Sequence, residues 1–287
     1  MPKLGAWKPD STQPLPAGKV AFADYPFEGT NLAKVAAAGA SVANPGAEVN
    51  GVLDLRKWCS PVEDQSKAGS CVGNSVVGAL EFLQIRNGLP YTDLSRLFVY
   101  YNSRLQHGDT DKDEGTYIRL AFGTLTTLGT CSEKTWPYDL NNLFIRPSWG
   151  AYREAYPHKI TSYYRITATG GQELIDAIKR ALQAQHVVVF GMIVDQDYIN
   201  APGDGVIAMP KPNRVSAGGH AQVIVGYDDN KRRWIVRNSW GIWWGDRGYA
   251  YVPYDYLDAS DANDFWVPYL ASGGTSTTTV TVIPPGG

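Results

Sequence analysis

The fold is decided by residues 61–77, whose sequence is PVEDQSKAGSCVGNSVV. After Cys71, apolar residues recur at three- and four-residue steps, and this spacing predicts a helix over residues 71–87. Gly88 and Pro90 then supply a stop signal that is typical of a helix C-terminus. Because most of its surface is apolar, we expect this helix to be buried in the core.

Cys71 lies in the first turn of the predicted helix. A helix N-terminus carries roughly half a positive charge, which favours an anion there. The thiolate is the reactive form of cysteine, and this placement lowers a cysteine pKa. A free cysteine is nevertheless often only a small buried hydrophobic residue. The stretch alone therefore leaves both a catalytic and a packing role open.

Composition limits the class of protein. The chain has 287 residues, of which 44% are hydrophobic and 12% aromatic, enough for one large domain or two modest ones. A formal net charge of −2 gives no electrostatic reason to expect a nucleic-acid or membrane partner. No apolar run reaches the roughly 20 residues of a membrane span, and no secretory signal is visible. These features leave a cytoplasmic protein and secretion by a non-classical route open.

The order of the predicted elements indicates an α+β fold. Further helices are predicted over residues 95–104, 116–128 and 173–185. After the last of these, β-branched and aromatic runs predict strands at residues 186–194, 221–227, 233–237 and 248–252. A helical half followed by an antiparallel half places a groove between them.

The predicted organisation is one domain with two flanking segments. The domain covers residues 51–272, with a helical lobe at about 60–150 and a β lobe at about 160–270. A Ser/Thr/Gly/Pro tail over residues 273–287 is predicted to be disordered.

Residues 1–50 form an N-terminal arm rich in Pro, Gly and Ala, with one short helix predicted over residues 31–38. Two interpretations stay open, a disordered arm and an ordered pro-segment that covers the domain. The second would use Phe22, Tyr25 and Phe27 as apolar anchors.

Residues 108–115, the acidic loop, superficially resemble a calcium site because Asp recurs at alternate positions. Glu114 and Leu120 stand where a calcium loop requires Gly and Glu, respectively. We therefore expect a solvated acidic loop, and we expect neither a metal nor another cofactor.

One histidine of four stands out. The other three lie in contexts that predict surface or packing roles. His220 lies in the sequence AGGHAQ, residues 217–222, where paired glycines give access to the backbone just before a predicted strand. Asn238 follows the next strand, and a buried Asn needs hydrogen-bond partners, of which an imidazole is a natural one.

Four sequence blocks resemble, in the same order, the signature blocks of papain-like cysteine peptidases. His220 and Asn238 also follow Cys71 at the spacing of that family. The similarity covers roughly residues 52–270 and is greatest to bacterial and viral members, xylellain-type enzymes among them. It implies a two-lobed papain-like fold with a helical lobe, an antiparallel β lobe and an active-site cleft between the lobes. The four blocks are Gln65, Gly69-Ser70-Cys71, Gly219-His220-Ala221 and Asn238-Ser239-Trp240-Gly241.

The resemblance implies a role for each catalytic residue. Cys71 would be the nucleophile, paired as a thiolate with a His220 imidazolium. Asn238 would orient the imidazole ring, and Trp240 would shield the hydrogen bond between them from water. Gln65 and the Cys71 backbone N–H would form the oxyanion hole.

The resemblance also implies a substrate-binding surface around the second subsite, the pocket for the second residue before the scissile bond. Small residues there leave room for an apolar or aromatic side chain, whereas Glu114 would instead recruit a basic one. The implied surface consists of Gly69, Ser70, Glu114, Gly115, Tyr117, Gly218, Gly219, Ala221 and Trp240.

The sequence departs from the family pattern at several positions. Ala68 stands where the family usually has a cysteine, Val72 replaces an aromatic residue, and Gly219 replaces an Asp or Asn before the histidine. No catalytic atom is lost. Of the remaining thiols, Cys59 and Cys131 are predicted to form a disulfide.

Three functions have to be separated. The first is a cysteine endopeptidase that acts on peptides or proteins and is made as a zymogen inhibited by its own arm. The second is a catalytically silent papain-like binding module, and the third is an acyl or amide transferase with the same triad. The intact set of catalytic residues favours an enzyme over the silent module, and product analysis with added amines separates hydrolysis from transfer.

Overall fold

The structure, a computed structural model, describes residues 3–4, 7–9, 27, 48–259 and 262–271. The predicted helix over 31–38, the proposed anchors Phe22 and Tyr25, and the predicted tail over 273–287 lie outside the described residues. Phe27, the third proposed anchor, is fully buried in the main hydrophobic core.

The described part of the chain contains helices first and most strands later, as the sequence predicts. The α-helices are α1 (Cys71–Arg86), α2 (Arg96–His107), α3 (Ile118–Thr127), α4 (Trp149–Ala155), α5 (Gly171–Gln183), α6 (Gln196–Ile199) and α7 (Tyr256–Ala259). The strands are β1 (Val52–Asp54), β2 (Ser162–Arg165), β3 (Val188–Asp195), β4 (Ser216–Asp228), β5 (Arg233–Arg237), β6 (Tyr249–Pro253) and β7 (Asn263–Tyr269).

The strands form one antiparallel sheet among the described residues. The order is β2-β7-β3-β4-β5-β6, with β1 paired to β4. β3 and β4 are buried along most of their length because helices α1 and α5 pack on them. In this order β7 lies between β2 and β3, in the interior of the sheet rather than at its edge.

Helix α1 joins the two halves of the molecule. It packs on α2 and α3 and also on β4, and it is buried from Cys71 to Gln84. A Cβ atom at Gly73 would lie 2.9 Å from the carbonyl oxygen of Arg96, so glycine permits the close approach of α1 and α2. The predicted α+β class, with helices followed by an antiparallel sheet, is confirmed.

Burial of one acid in α1 couples stability to pH. Glu81 is buried and accepts a hydrogen bond from the Leu94 backbone N–H at 2.8 Å. Burial raises the pKa of Glu81 from 4.5 to about 7. The stabilisation is therefore complete below pH 4.5, where folded and unfolded chains are both protonated, and it is lost as pH rises toward 7.

We expect Glu81→Gln to remove most of this pH dependence, because the amide keeps an acceptor but does not titrate. The wild-type chain should lose about 3 kcal/mol more unfolding free energy than the variant between pH 5 and pH 8. Denaturant unfolding at the two pH values measures this, with Glu173→Gln on the exposed face of α5 as the control. Equal pH dependence in wild type and Glu81→Gln would contradict the expectation.

Candidate active site

The Cys71 side chain lies at the first residue of α1 and is fully buried. Its sulfur faces the backbone N–H groups of Cys71, Val72 and Ala221, each of which favours the thiolate. Ser70, the N-cap residue, makes no side-chain cap. Its hydroxyl instead contacts the Tyr138 hydroxyl at 2.5 Å, so the helix start keeps N–H groups for the thiol.

His220 and Asn238 are brought together by the pairing of β4 with β5. His220 lies in β4, and Asn238 directly follows β5. The Ser239 backbone N–H donates to Asn238 Oδ1 at 2.8 Å, which identifies that atom as the acceptor. His220 Nε2 donates to the same oxygen at 2.7 Å. The lone pair of His220 therefore lies on Nδ1, which has no hydrogen-bond partner among the described residues.

An indole ring covers this pair. Trp240 stacks on the His220 ring with a centroid separation of 4.3 Å and an interplanar angle of 24°. Trp240 is itself almost completely buried. Water is thus kept from the face of the imidazole and from its bond to Asn238.

Gln65 is fixed through its backbone and side chain. Its backbone N–H donates to the Ser239 carbonyl at 2.8 Å, and its Oε1 accepts from the Ser239 hydroxyl at 2.8 Å. Tyr138 donates its hydroxyl to the Gln65 carbonyl at 2.9 Å. Gln65 Nε2 donates to the Ala68 carbonyl at 3.1 Å and to the Lys3 carbonyl at 3.4 Å. The amide that the sequence assigns to the oxyanion hole therefore faces the N-terminal arm.

Burial makes both reactive groups neutral in this arrangement. It raises the pKa of the Cys71 thiol to about 12 and lowers the pKa of the His220 imidazole to about 4. Both side chains are fully buried, and removal of water disfavours each charged form. Burial therefore favours the neutral thiol and the neutral imidazole in the covered site.

Trp7 of the arm fills a pocket beside the histidine. We call this space the Trp7 pocket and define it by Gly191, Gly219 and Asp264. A Cβ at Gly191 would lie 1.9 Å from the Trp7 ring, and a Cβ at Gly219 would lie 2.8 Å from the Trp7 carbonyl oxygen. The indole Nε1 donates to Asp264 Oδ2 at 3.3 Å. Two glycines therefore make room for the indole, and an acid receives its N–H.

The arm also pairs with the backbone at the end of the acidic loop. Trp7 forms a parallel bridge with Thr116, and the Lys8 N–H donates to the Thr116 carbonyl at 3.1 Å. Gly115, predicted to bind substrate backbone, instead donates its N–H to the Tyr100 hydroxyl at 3.1 Å. The backbone edge next to Gly115 is thus the part that the arm contacts.

The sequence predicted that the acidic loop is solvated, but two of its acids pair with lysines of the arm. Its Asp113 pairs with Lys3 at 2.9 Å and accepts from the Gly69 N–H at 2.9 Å, and its Asp109 pairs with Lys8 at 3.0 Å. The loop is therefore an anchor for the arm. Among the described residues, no cluster of three or more His, Cys, Asp or Glu side chains could hold a metal ion.

The other predicted substrate-binding residues lie either on β4 or at the acidic loop and its end. Ala221 faces the Cys71 thiol, and Gly218 lies opposite Val194 in the β3–β4 pairing. The centroid of the Tyr117 ring lies 5.9 Å from Lys8 Nζ of the arm. Glu114 is exposed, and the neighbouring Asp113 makes the ion pair with the arm instead.

The sequence did not identify Gly191, Asp264, Asp113 or Tyr138 as site residues. Gly191 had a signal, because a glycine within an apolar strand often marks the close approach of another group. The remaining three had none, because each reaches the site through a contact between distant parts of the chain.

The predicted disulfide is wrong, because all three cysteines are free. Cys59 lies near Arg237 and Tyr249 of the sheet. Cys131 packs with Phe98 and Ala155 in a separate cluster of the helical half. The two thiols thus belong to different parts of the core.

Three comparisons with known proteins give one family, and the structural comparison confirms the predicted papain-like fold. Residues 49–262 match the model of the papain family of cysteine proteases. An uncharacterized peptidase C1-like protein of Acanthamoeba polyphaga mimivirus is 36% identical over 231 residues, covering 76% of this chain and 74% of the viral protein. Xylellain, a cysteine protease from Xylella fastidiosa, matches with a TM-score of 0.73 at 30% identity, covering 94% of this chain and 97% of xylellain.

A human relative is more distant and longer. Cathepsin L2 is 25% identical over 211 residues, and the match covers 71% of this chain and 60% of cathepsin L2. The chain thus spans less than two thirds of that relative.

No helix among the described residues has the length and hydropathy needed to cross a bilayer.

Proposed function

Because the chain belongs to the papain family of cysteine proteases, we propose that it hydrolyses peptide bonds with Cys71 as nucleophile and is made in a form covered by its own arm. The observation that carries this proposal is the 2.7 Å hydrogen bond from His220 Nε2 to Asn238 Oδ1. This bond leaves the Nδ1 lone pair of His220 available as a base for the thiol.

The proposed reaction begins when a peptide replaces the arm. His220 Nδ1 takes the proton of the Cys71 thiol, and the thiolate attacks the scissile carbonyl carbon. The oxyanion accepts hydrogen bonds from the Cys71 N–H and Gln65 Nε2. His220 then gives its proton to the leaving amine, and a thioester remains on Cys71.

The second half of the proposed reaction releases the acyl group. His220, now neutral, removes a proton from a water molecule that attacks the thioester carbonyl. The same two N–H donors stabilise the second oxyanion, and its collapse returns the proton to Cys71 and frees the carboxylate product. Asn238 keeps the ring in the required tautomer throughout both halves.

The arm is the proposed inhibitor of this chemistry. The Lys3 carbonyl lies 3.4 Å from Gln65 Nε2, where the oxygen of a scissile carbonyl would bind. Trp7 fills the pocket next to His220, which we assign as the second subsite. Since the covered site also disfavours the ion pair of Cys71 and His220, the arm both blocks the cleft and lowers the reactivity of the nucleophile.

Tyr138 is proposed to position the oxyanion hole. Its hydroxyl joins Ser70, the residue before the nucleophile, to the Gln65 carbonyl at 2.9 Å. We expect Tyr138→Phe to lower kcat about 10-fold with KM changed less than about twofold, because the group acts on the transition state only. Steady-state kinetics in a Trp7→Ala background measures both constants.

A double-mutant cycle separates this role from general destabilisation. If Tyr138 acts through Gln65, its replacement should have little further effect once Gln65 is alanine. Tyr254→Phe is the matched control, because that hydroxyl donates to Asp229 on the sheet. Additive losses from Tyr138→Phe and Gln65→Ala would show that Tyr138 acts elsewhere.

The proposed function is tested by mapping where an epoxide that alkylates activated thiols reacts. In the full-length Trp7→Ala variant, mass spectrometry should find one adduct, on Cys71, and alkylation should stop peptide hydrolysis. Cys59 and Cys131 serve as internal controls, because Cys59 lies beside Arg237 and Tyr249 and Cys131 lies in a cluster of the helical half, so neither has the proposed base beside it. Equal alkylation of all three cysteines, or none, would refute the nucleophile and favour the silent binding module. Amide products formed with an added amine would instead indicate transfer.

A further inference from the structure

Asn74 is a buried amide in the first turn of α1, shortly after Cys71, and is 4% exposed. Its Nδ2 donates to the Ser70 carbonyl and to the Ser70 hydroxyl, each at 3.0 Å. A carbonyl oxygen can only accept a hydrogen bond, so the first contact identifies the nitrogen of the amide. The oxygen, Oδ1, is buried and has no hydrogen-bond partner among the described residues.

The Asn238 amide has the complementary atom unpaired. Its Oδ1 accepts from His220 Nε2 at 2.7 Å and from the Ser239 backbone N–H at 2.8 Å. Its Nδ2 is buried and meets no acceptor within the part of the chain that the structure describes. Buried amide groups without a partner are rare in folded proteins, and each requires an explanation.

The two amides line the same small cavity between α1 and the sheet. Its volume is about 10 Å³, close to the least that holds one water molecule. Two charged residues also line it and already have protein partners, since Glu63 pairs with Arg96 and Arg237 donates to the Ser60 carbonyl at 3.0 Å. The cavity is therefore polar, and it offers a water molecule the two or more polar partners that a buried water needs.

We propose that one buried water molecule joins the two amides and that Asn74 positions Asn238 through it. Asn238 Nδ2 donates to the water, and the water donates to Asn74 Oδ1. The bridge fixes the direction of the Asn238 amide, because half a turn of that amide would place its NH₂ group against the Nε2–H of His220. The inference rests on the proposed peptidase function and adds a positioning residue to it.

Asn74 contacts both parts of the catalytic arrangement. Its Nδ2 holds Ser70, whose hydroxyl contacts Tyr138 on the side of the oxyanion hole. The same side chain lines the cavity that Asn238 shares. Replacing Asn74 therefore changes two routes to the reaction, one through Ser70 and one through Asn238, and a measurement of coupling separates them.

A crystal structure of the full-length chain tests the bridge without any measurement of activity. We expect one ordered water molecule at about 2.7–3.2 Å from both Asn74 Oδ1 and Asn238 Nδ2. Asn74→Leu, which has a similar size but no acceptor, should lose that water. A cavity without water in the wild-type chain, or a water that contacts only one of the two amides, would overturn the bridge.

Kinetics in the Trp7→Ala background tests the positioning role. We expect Asn74→Leu to lower kcat about 5-fold to 10-fold with KM changed less than about twofold. The alkaline limb of the kcat/KM pH profile should move to lower pH, because the hydrogen bond to Asn238 favours the imidazolium of the ion pair. Gln84→Leu is the matched control, since it removes a buried amide that contacts His158 near the other end of α1, and it should change neither quantity.

A double-mutant cycle separates the two routes. If Asn74 acts through Asn238, Asn74→Leu should lower kcat less than about twofold once Asn238 is alanine. An undiminished loss in that background, or an unchanged kcat or pH profile for Asn74→Leu alone, would overturn the positioning role. No hydrolysis by the Trp7→Ala chain itself would instead refute the proposed peptidase and the positioning role with it, while the crystal structure still decides whether the water is bound. A circular dichroism melt confirms that Asn74→Leu is folded before its kinetics are interpreted.

Discussion

Replacing Trp7 by alanine in the full-length chain is expected to raise the rate of Cys71 alkylation about 100-fold. The indole is buried in the cleft and donates to Asp264. Truncation of such an anchor typically weakens binding by about 3 kcal/mol, which is about 100-fold in the equilibrium between covered and open cleft. The measurement is the rate of adduct formation with a thiol-directed epoxide.

Two variants control for this expectation. Trp149→Ala removes another tryptophan, one that is largely exposed on α4, and should leave the rate unchanged. Trp7→Phe keeps most of the ring and should give an intermediate rate. Equal alkylation of wild type and Trp7→Ala would show that the arm does not limit access to Cys71, and the inhibitory role would be withdrawn.

Gln65→Ala is expected to lower kcat by a factor of about 10² to 10³ in the Trp7→Ala background. The Gln65 side-chain amide is buried and accepts a hydrogen bond from the Ser239 hydroxyl, and the Gln65 backbone carbonyl accepts one from Tyr138, so the amide is preorganised for the charge that develops in the transition state. Loss of one oxyanion donor has an effect of this size in other enzymes.

The kinetic pattern distinguishes this role from a structural one. KM should change little, and the rate of Cys71 alkylation should fall much less than kcat, since opening an epoxide forms no tetrahedral intermediate at a carbonyl carbon. Ser239→Ala, which removes only the hydroxyl that holds Gln65 Oε1 at 2.8 Å, should show a smaller effect in the same direction. A parallel fall of alkylation and kcat would indicate that Gln65 supports the structure around Cys71 instead.

Most of the secondary structure could be predicted because it is encoded locally. The spacing of apolar residues after Cys71 predicted α1, and β-branched runs predicted β3, β4 and β5. β7 was missed, because Pro268 within a short aromatic run argues against a central strand. Its partners β2 and β3 satisfy the neighbouring backbone groups, so the proline is tolerated.

The site could be predicted in part for a similar reason. The motifs around Cys71, His220 and Asn238 are short and ordered, whereas the walls of the Trp7 pocket come from β3, β4 and β7. Asp264 and Trp7 are separated by 257 positions, and no local pattern marks either as the other's partner. Glu114 was assigned to the second subsite, but in the structure it is exposed, and its neighbour Asp113 pairs with Lys3 of the arm.

The separation of Trp7 from Asp264 also has a consequence for timing. During synthesis the arm emerges first, yet its pocket does not exist until β7 has been made and has paired with β3. The lobes must therefore assemble before the segment that covers them can dock. Each new chain passes through an interval in which its cleft is formed and uncovered, and the length of that interval depends on how quickly Trp7 docks against β7.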